Sequence, residues 1–178
     1  MSIILLPFET TDFHRLIQWI PSEEALMLWS GPFFTYPLDE NQLEIYLTSG
    51  LQNPPLRKIY KAIDEMSDEV IGHIELNNID SRNLAGTISK VLVGNPINRG
   101  KGYGAQMVRE LLAIGFDVMH LHRLSLIVFD FNNPAIKAYK KVGFTIEGHL
   151  RDYRKVNNQY WSSYMMSILE DEWMATRQ

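Results

Sequence analysis

The chain has 178 residues, 46% of them hydrophobic and 21% charged, which suits one domain with a sizeable core and falls short of two. Seventeen basic and 21 acidic side chains leave a net charge of −4, which argues against nucleic-acid binding by bulk charge. Any anionic ligand must therefore meet a local positive patch. The absence of cysteine excludes disulfides, Cys-based metal centres and a thiol nucleophile.

The apolar start Ile3-Ile4-Leu5-Leu6 is cut by Pro7, followed by Glu9 and preceded by no basic stretch, so it does not read as a signal peptide. No apolar run approaches the ~20 residues that span a bilayer. With no repeat or linker, the expectation is a soluble, cytoplasmic, single domain over residues 1–178.

Residues 3–8 read as a short strand. Thr10, Thr11 and Asp12 then offer capping oxygens to a helix carrying Phe13, Leu16, Ile17 and Ile20 at helical spacing. Pro21-Ser22-Glu23-Glu24 opens a second helix with Leu26, Met27 and Trp29, stopped by Ser30-Gly31-Pro32. Pro37-Leu38-Asp39-Glu40 opens a third, with acids at its positive end and Leu43, Tyr46 and Leu47 on one side. Residues 58–63, 70–76 and 86–94 are strand-like and joined by short polar connectors, an antiparallel meander.

The strongest helix signal covers 102–119, where Met107, Val108, Leu111, Leu112, Gly115, Val118 and Met119 form one stripe. Residues 124–129 follow as a largely apolar strand expected to be covered on both faces. A strand, a helix and a strand in this order form a crossover unit. Asn133-Pro134 opens a last helix that Gly143 closes, and 144–150 and 160–169 read as two final strands around an Asn157-Asn158 turn. The order is β, helices, βββ, α, β, α, ββ, a mixed α+β fold.

Arg99-Gly100-Lys101-Gly102-Tyr103-Gly104 lies at the entry to the long helix. Its glycines let consecutive N–H groups approach a ligand, the helix start adds positive potential, and Arg99 and Lys101 add charge. These features suit a pyrophosphate-like group. A Walker A loop is a poor match because Gly102, not Ser or Thr, follows Lys101. A dinucleotide fingerprint needs G-x-G-x-x-G, whereas Gly100, Gly102 and Gly104 run G-x-G-x-G.

A second segment, residues 132–144, completes the pattern. Arg99, Gly102 and Gly104 match [QR]-x-x-G-x-[GA]. Asn132, Ala135, Tyr139, Lys141, Gly143 and Phe144 match N-x-x-A-x-x-x-Y-x-K-x-G-F. Together they resemble the GNAT superfamily of acyl-CoA-dependent N-acyltransferases. The stretch Glu147-Gly148-His149-Leu150-Arg151-Asp152-Tyr153, with Tyr160-Trp161, is similar to the branch of ribosomal-protein N-terminal and spermidine acetyltransferases.

The resemblance implies a mostly antiparallel central sheet of about seven strands flanked by helices. It implies transfer of an acetyl group from acetyl-CoA to a primary amine, an N-terminal α-amine or a small-molecule amine such as a polyamine. Leu92, Val93 and Gly94 would pair by their backbone with the pantetheine arm. Arg99, Gly100, Lys101, Gly102, Tyr103, Gly104 and Ala105 would hold the pyrophosphate, and Asn132 the amide arm. Tyr139 would be the general acid. A catalytically weak acyl-CoA-binding or regulatory module on the same fold is the alternative from this resemblance, and a nucleotide-binding oxidoreductase subunit is the alternative from another class.

Residues 87–93 contain no carboxylate where many family members carry a glutamate base. A polyamine nitrogen near pKa 10.4 costs about 4.6 kcal/mol to deprotonate at pH 7, an α-amine about 1 kcal/mol, so a site without a base favours the latter. His73 and Glu75 share one side of a strand and read first as a solvated face, second as a water-mediated base. Glu147 and Asp152 are read as solvated. Trp19, Trp29, Phe33, Phe34 and Tyr36 are either core or an acceptor wall. No metal spacing is present, neither membrane nor nucleic acid is an expected partner, and a last strand rich in Tyr160, Trp161, Tyr164, Met165 and Met166 is a candidate homodimer face.

Overall fold

Local capping explains where the first helices start. In the computed structural model, which describes residues 2–176, β1 (Ile3–Pro7) precedes α1 (Phe13–Gln18), α2 (Glu23–Ser30) and α3 (Glu40–Thr48). Ser22 Oγ accepts from the Ala25 N–H at 3.1 Å, and Asp39 Oδ1 accepts from the Gln42 N–H at 2.8 Å. Then come β2 (Lys58–Asp64), β3 (Glu69–Asp80), β4 (Ala85–Val93) and α4 (Tyr103–Ala113). The chain continues through β5 (Arg123–Phe129), α5 (Asn133–Val142), β6 (Thr145–Val156), β7 (Gln159–Leu169) and a short α6 (Glu170–Ala175) that the sequence pattern did not announce. Met1, Arg177 and Gln178, the ends of the expected 1–178 domain, lie outside the described residues.

The seven strands form one sheet in the order β1-β2-β3-β4-β5-β7-β6. Every neighbouring pair is antiparallel except β4 and β5, joined in parallel by the α4 crossover. Both faces of the sheet's first half are covered. Ile74, Leu76, Met107, Leu111 and Leu124 belong to the core that includes α4, while Leu16, Leu26, Leu43, Tyr46 and Ile59 form a second core with α1, α2 and α3.

That second core overturns the solvated-face reading of β3. His73 and Glu75 are 1% and 0% exposed, because their side faces α2 and α3 instead of water. On β5 the opposite correction applies. Leu124, Leu126 and Val128 are buried but Ile127 is 42% exposed, so only one face of this strand is fully covered.

The long helix also departs from its expected course. After Ala113 the chain widens into a π-turn (Ile114–Val118), with Met119 N–H bonding Ile114 O at 3.0 Å. An i to i+5 step rotates the following side chains, so Val118 leaves the stripe and is exposed while Phe116 enters the core. Glu147 is not merely solvated either. It accepts two bonds from Arg123, at 2.7 and 2.5 Å, whereas Asp152 is exposed as expected. Strand β7 lies between β5 and β6, paired on both sides over residues 163–167 and with β6 alone over 159–161, and Met166 is core. The sheet order therefore leaves no free strand edge along residues 163–167.

Candidate active site

The parallel pairing of β4 and β5 is short. Ala85, Gly86 and Thr87 pair with Arg123, Leu124 and Ser125, and no further partners follow. Beyond that point the strands part, and residues 88–91 of β4 and 126–129 of β5 line the two sides of a cleft of about 550 Å³. Asn132 at the cap of α5, with Ala135 and Tyr139 of that helix, also lines it, as do Trp29 of α2 and Gly31, Pro32 and Phe33 after it. Strands that separate in mid-sheet leave backbone N–H and C=O groups without a partner, a ready edge for an extended ligand.

Tyr139 sits on the buried side of α5, 9% exposed, with its ring 6.1 Å from that of Phe144. Burial pushes its phenol up to about 12, so the hydroxyl keeps its proton throughout the physiological range. Asn132 caps α5. Its Oδ1 accepts from the Ala135 N–H at 3.4 Å, and the residue lines the cleft.

At the far end of β4 the three expected backbone positions divide. Gly94 N–H donates to Ile71 O at 2.9 Å, and Gly72 and His73 lie opposite Val93 and Leu92. Ladder alternation then spends Leu92 and Gly94 on β3 and turns only the Val93 N–H to the open edge. Arg99 folds back on the same end, its Nε donating to Val93 O at 3.3 Å and its Nη2 to Gly94 O at 3.2 Å.

The glycine loop follows. Gly100 and Gly102 have φ of 76° and 88°, in the left-handed region. Gly102 caps α4 with no side chain, and the first ladder bond runs from Gln106 N–H to Gly102 O. The N–H groups of Tyr103, Gly104 and Ala105 thus have no partner within the helix. A Cβ on Gly104 would sit 3.8 Å from Val93, which puts this helix start beside the open edge of β4. Lys101 Nζ reaches Asn98 Oδ1 at 3.4 Å. Tyr103 cannot offer its side chain to a ligand in the loop, since its hydroxyl is buried and donates to Asp64 at 2.6 Å. Of the expected residues, Asn132 and Tyr139 line the cleft, and Leu92, Val93, Gly94 and the loop lie beyond its lined part.

Sequence reasoning missed a buried charge cluster on the cleft wall. Lys90 has φ +50° at a bulge between β3 and β4, and its ammonium bonds Glu75 Oε2 at 2.9 Å under the Phe33 ring, 4.1 Å from its centroid. The Tyr46 hydroxyl donates to the same Glu75 oxygen. Arg57 Nη1 stands 3.9 Å from Glu75 Oε1, and neither atom has a hydrogen-bond partner. His73 Nδ1 meets Lys90 O at 3.2 Å, to which Trp29 Nε1 also donates at 2.9 Å. Burial lowers the Lys90 ammonium, an effect opposed by Glu75, and burial takes His73 down to about 4. In the sequence Lys90 is one polar residue of an alternating strand, and no local signal marks its burial.

The aromatic group divides. Trp29 and Phe34 are core, stacked at 5.5 Å, while Phe33 and Tyr36 are 47% and 42% exposed and Phe33 with Trp29 lines the cleft. Trp19 packs against Gly94.

The acetyltransferase (GNAT) domain model matches residues 2–145, so the chain belongs to that family of acyl-CoA-dependent transferases. It is an acetyl-CoA-dependent N-acetyltransferase. It is 35% identical over 172 residues to the uncharacterised N-acetyltransferase p20 of Bacillus licheniformis, covering 96% of this chain and 94% of that one. It is also 31% identical to spermidine N(1)-acetyltransferase of Escherichia coli K12, covering 98% and 89%. Among solved structures, spermidine N-acetyltransferase from Vibrio cholerae in complex with CoA and spermine superposes with a TM-score of 0.82. That likeness is at 23% identity over 97% of this chain and 98% of the other.

Proposed function

We propose that the chain moves the acetyl group of acetyl-CoA directly to a primary amine within a ternary complex, with Tyr139 as general acid and residues 1–178 acting as one catalytic domain. The observation that carries this reading is the placement of Tyr139 and Asn132 on one cleft with the parted edges of β4 and β5. In this reading Val93 N–H, the residue of the expected three whose N–H faces the open edge, bonds the extended arm. Asn132 bonds its amide portion. The pyrophosphate rests on the backbone of residues 100–105, with Tyr103 contributing its N–H alone and Arg99 and Lys101 the positive potential.

Attack requires a neutral amine. No carboxylate lines the cleft among the described residues, and the positive cluster at Lys90 and Arg57 lowers the pKa of an ammonium placed beside it. This favours an amine whose own pKa is already low, such as an α-amine near 7.7–8.0. The Tyr139 phenol then stabilises the departing sulfur as negative charge develops. Complete transfer from a phenol at about 12 to a thiolate of ordinary pKa about 8.5 is uphill, so the proton shed by the acetylated nitrogen closes the cycle.

Tyr139→Phe is expected to reduce kcat about 100-fold or more while changing the affinity for acetyl-CoA less than about threefold, measured by thiol release and by calorimetry. Unchanged turnover would sink the assignment.

A further inference from the structure

We infer that the amine acceptor carries an anionic group, a carboxylate close to the reacting nitrogen, and that Arg154 is the residue that reads it. The inference rests on the acyl-transfer reading above and concerns what enters the same cleft.

Three observations support it. The charged side chains lining the cleft are Lys90 and Arg154, both cations, and no Asp or Glu lines it among the described residues. A polyamine, which carries further positive charge away from the nitrogen being acetylated, would meet like charge without a counter-ion. Secondly, the Arg154 guanidinium is held in place without being neutralised. It lies 4.0 Å from the centroid of the Tyr153 ring, with Nη2 donating to the Tyr153 hydroxyl at 3.1 Å, and no carboxylate pairs with it among the described residues. An oriented fork with donors to spare suits bidentate contact with a carboxylate.

The third observation concerns the cleft wall. Lys90 and Arg57 share the Glu75 carboxylate, so this buried group has one positive charge in excess. Ser163, 1% exposed, and Ser89 also line the cleft, and their hydroxyls are buried without a hydrogen-bond partner. Each is a donor whose hydrogen bond nothing within the protein satisfies. A carboxylate beside the nitrogen raises the amine's own pKa, and the positive field of the cleft wall opposes that rise. Free amino acids and short peptides with an acidic residue near the N-terminus share this chemistry.

The experiment compares kcat/KM by thiol release for four acceptors: an amino acid, its carboxamide, a dipeptide with an acidic second residue, and spermidine. The expected result is at least a tenfold preference for the amino acid over its carboxamide and over spermidine. The dipeptide distinguishes a peptide N-terminus from a free amino acid as the source of the anion. In Arg154→Gln the preference is expected to shrink to about threefold or less, with Arg154→Lys retaining an intermediate preference and circular dichroism verifying the fold of both.

Preference for spermidine, or an undiminished preference in Arg154→Gln, would overturn the inference while leaving acyl transfer intact. A rise in the KM for acetyl-CoA that is the same with every acceptor would assign Arg154 to the cosubstrate instead, which also overturns it. Absence of thiol release with every acceptor would remove the acyl-transfer reading and the inference with it.

Discussion

Two residues show how far a local sequence pattern reaches. Tyr139 and Asn132 are legible because their spacing on one helix is itself the signal. Lys90 and Arg154 are not, since their value lies in what they face: Glu75 from the neighbouring strand in one case, and the ring of Tyr153 above a cleft in the other. The recognisable stretch 147–153 stops one position short of Arg154. At this same scale Gly72 is decisive. A Cβ there would lie 2.5 Å from the Leu92 carbonyl oxygen and 2.7 Å from the Met107 sulfur. A carbonyl fixed in a strand cannot yield as a flexible side chain can. Gly72→Ala is expected to cost about 1–3 kcal/mol, seen as a fall of about 5 °C or more in Tm, and an unchanged Tm would contradict this account.

Among the elements, short-range signals did well where capping and hydrophobic period agreed, as at α2, α3 and α5. They failed where a neighbour re-aims the chain. The π-turn after α4 brings Gly115 so close to β5 that a Cβ would stand 2.6 Å from Leu124, and no residue-by-residue period announces that contact. Strands β6 and β7 run longer than their apolar patterns because they bond each other beyond the core, through a bulge between Leu150 and Arg154. Across them, Arg123 of β5 grips Glu147 of β6 with two bonds, and this pairing, joined by Ser167, takes the Glu147 carboxyl down to about 2. Both partners remain about a third exposed, so solvent screens the pair. Glu147→Gln is expected to destabilise by about 1 kcal/mol or less, and less still in 1 M salt, by urea unfolding. A larger loss that is insensitive to salt would mean that the pair does more than its exposure allows.

For the molecule as a whole, the sheet has a core on each side, and the second one buries ionisable groups that a single strand presents as a polar face. His73 is the clearest case. Its folded pKa of about 4 lies below the ordinary 6.5, so the unfolded chain binds more protons between these values. The stability tied to neutral His73 is therefore present above about pH 6.5, falls as pH drops, and is fully lost below about pH 4. The integrated loss is about 3 kcal/mol. Denaturant unfolding from pH 7 to 4 is expected to show this decline, and a His73→Phe variant a slope shallower by up to one proton. A slope identical in both would rule out His73 as its source.

Hydrophobic period and the spacing of two motifs were enough to point to the family, the element order and the candidate loop and tyrosine, because each of those depends on residues close together along the chain. Only the tertiary structure decided that β4 and β5 part to form a cleft, that Val93 alone of its three neighbours faces the open edge, and that His73 and Glu75 are buried. The same holds for Lys90, Arg57 and Arg154, which supply positive charge in a chain of net charge −4. The physical reason is common to all of them. Backbone direction in a ladder, burial on a sheet face and the field inside a cleft are set by neighbours from distant parts of the chain, and local periodicity carries no record of which neighbours those will be.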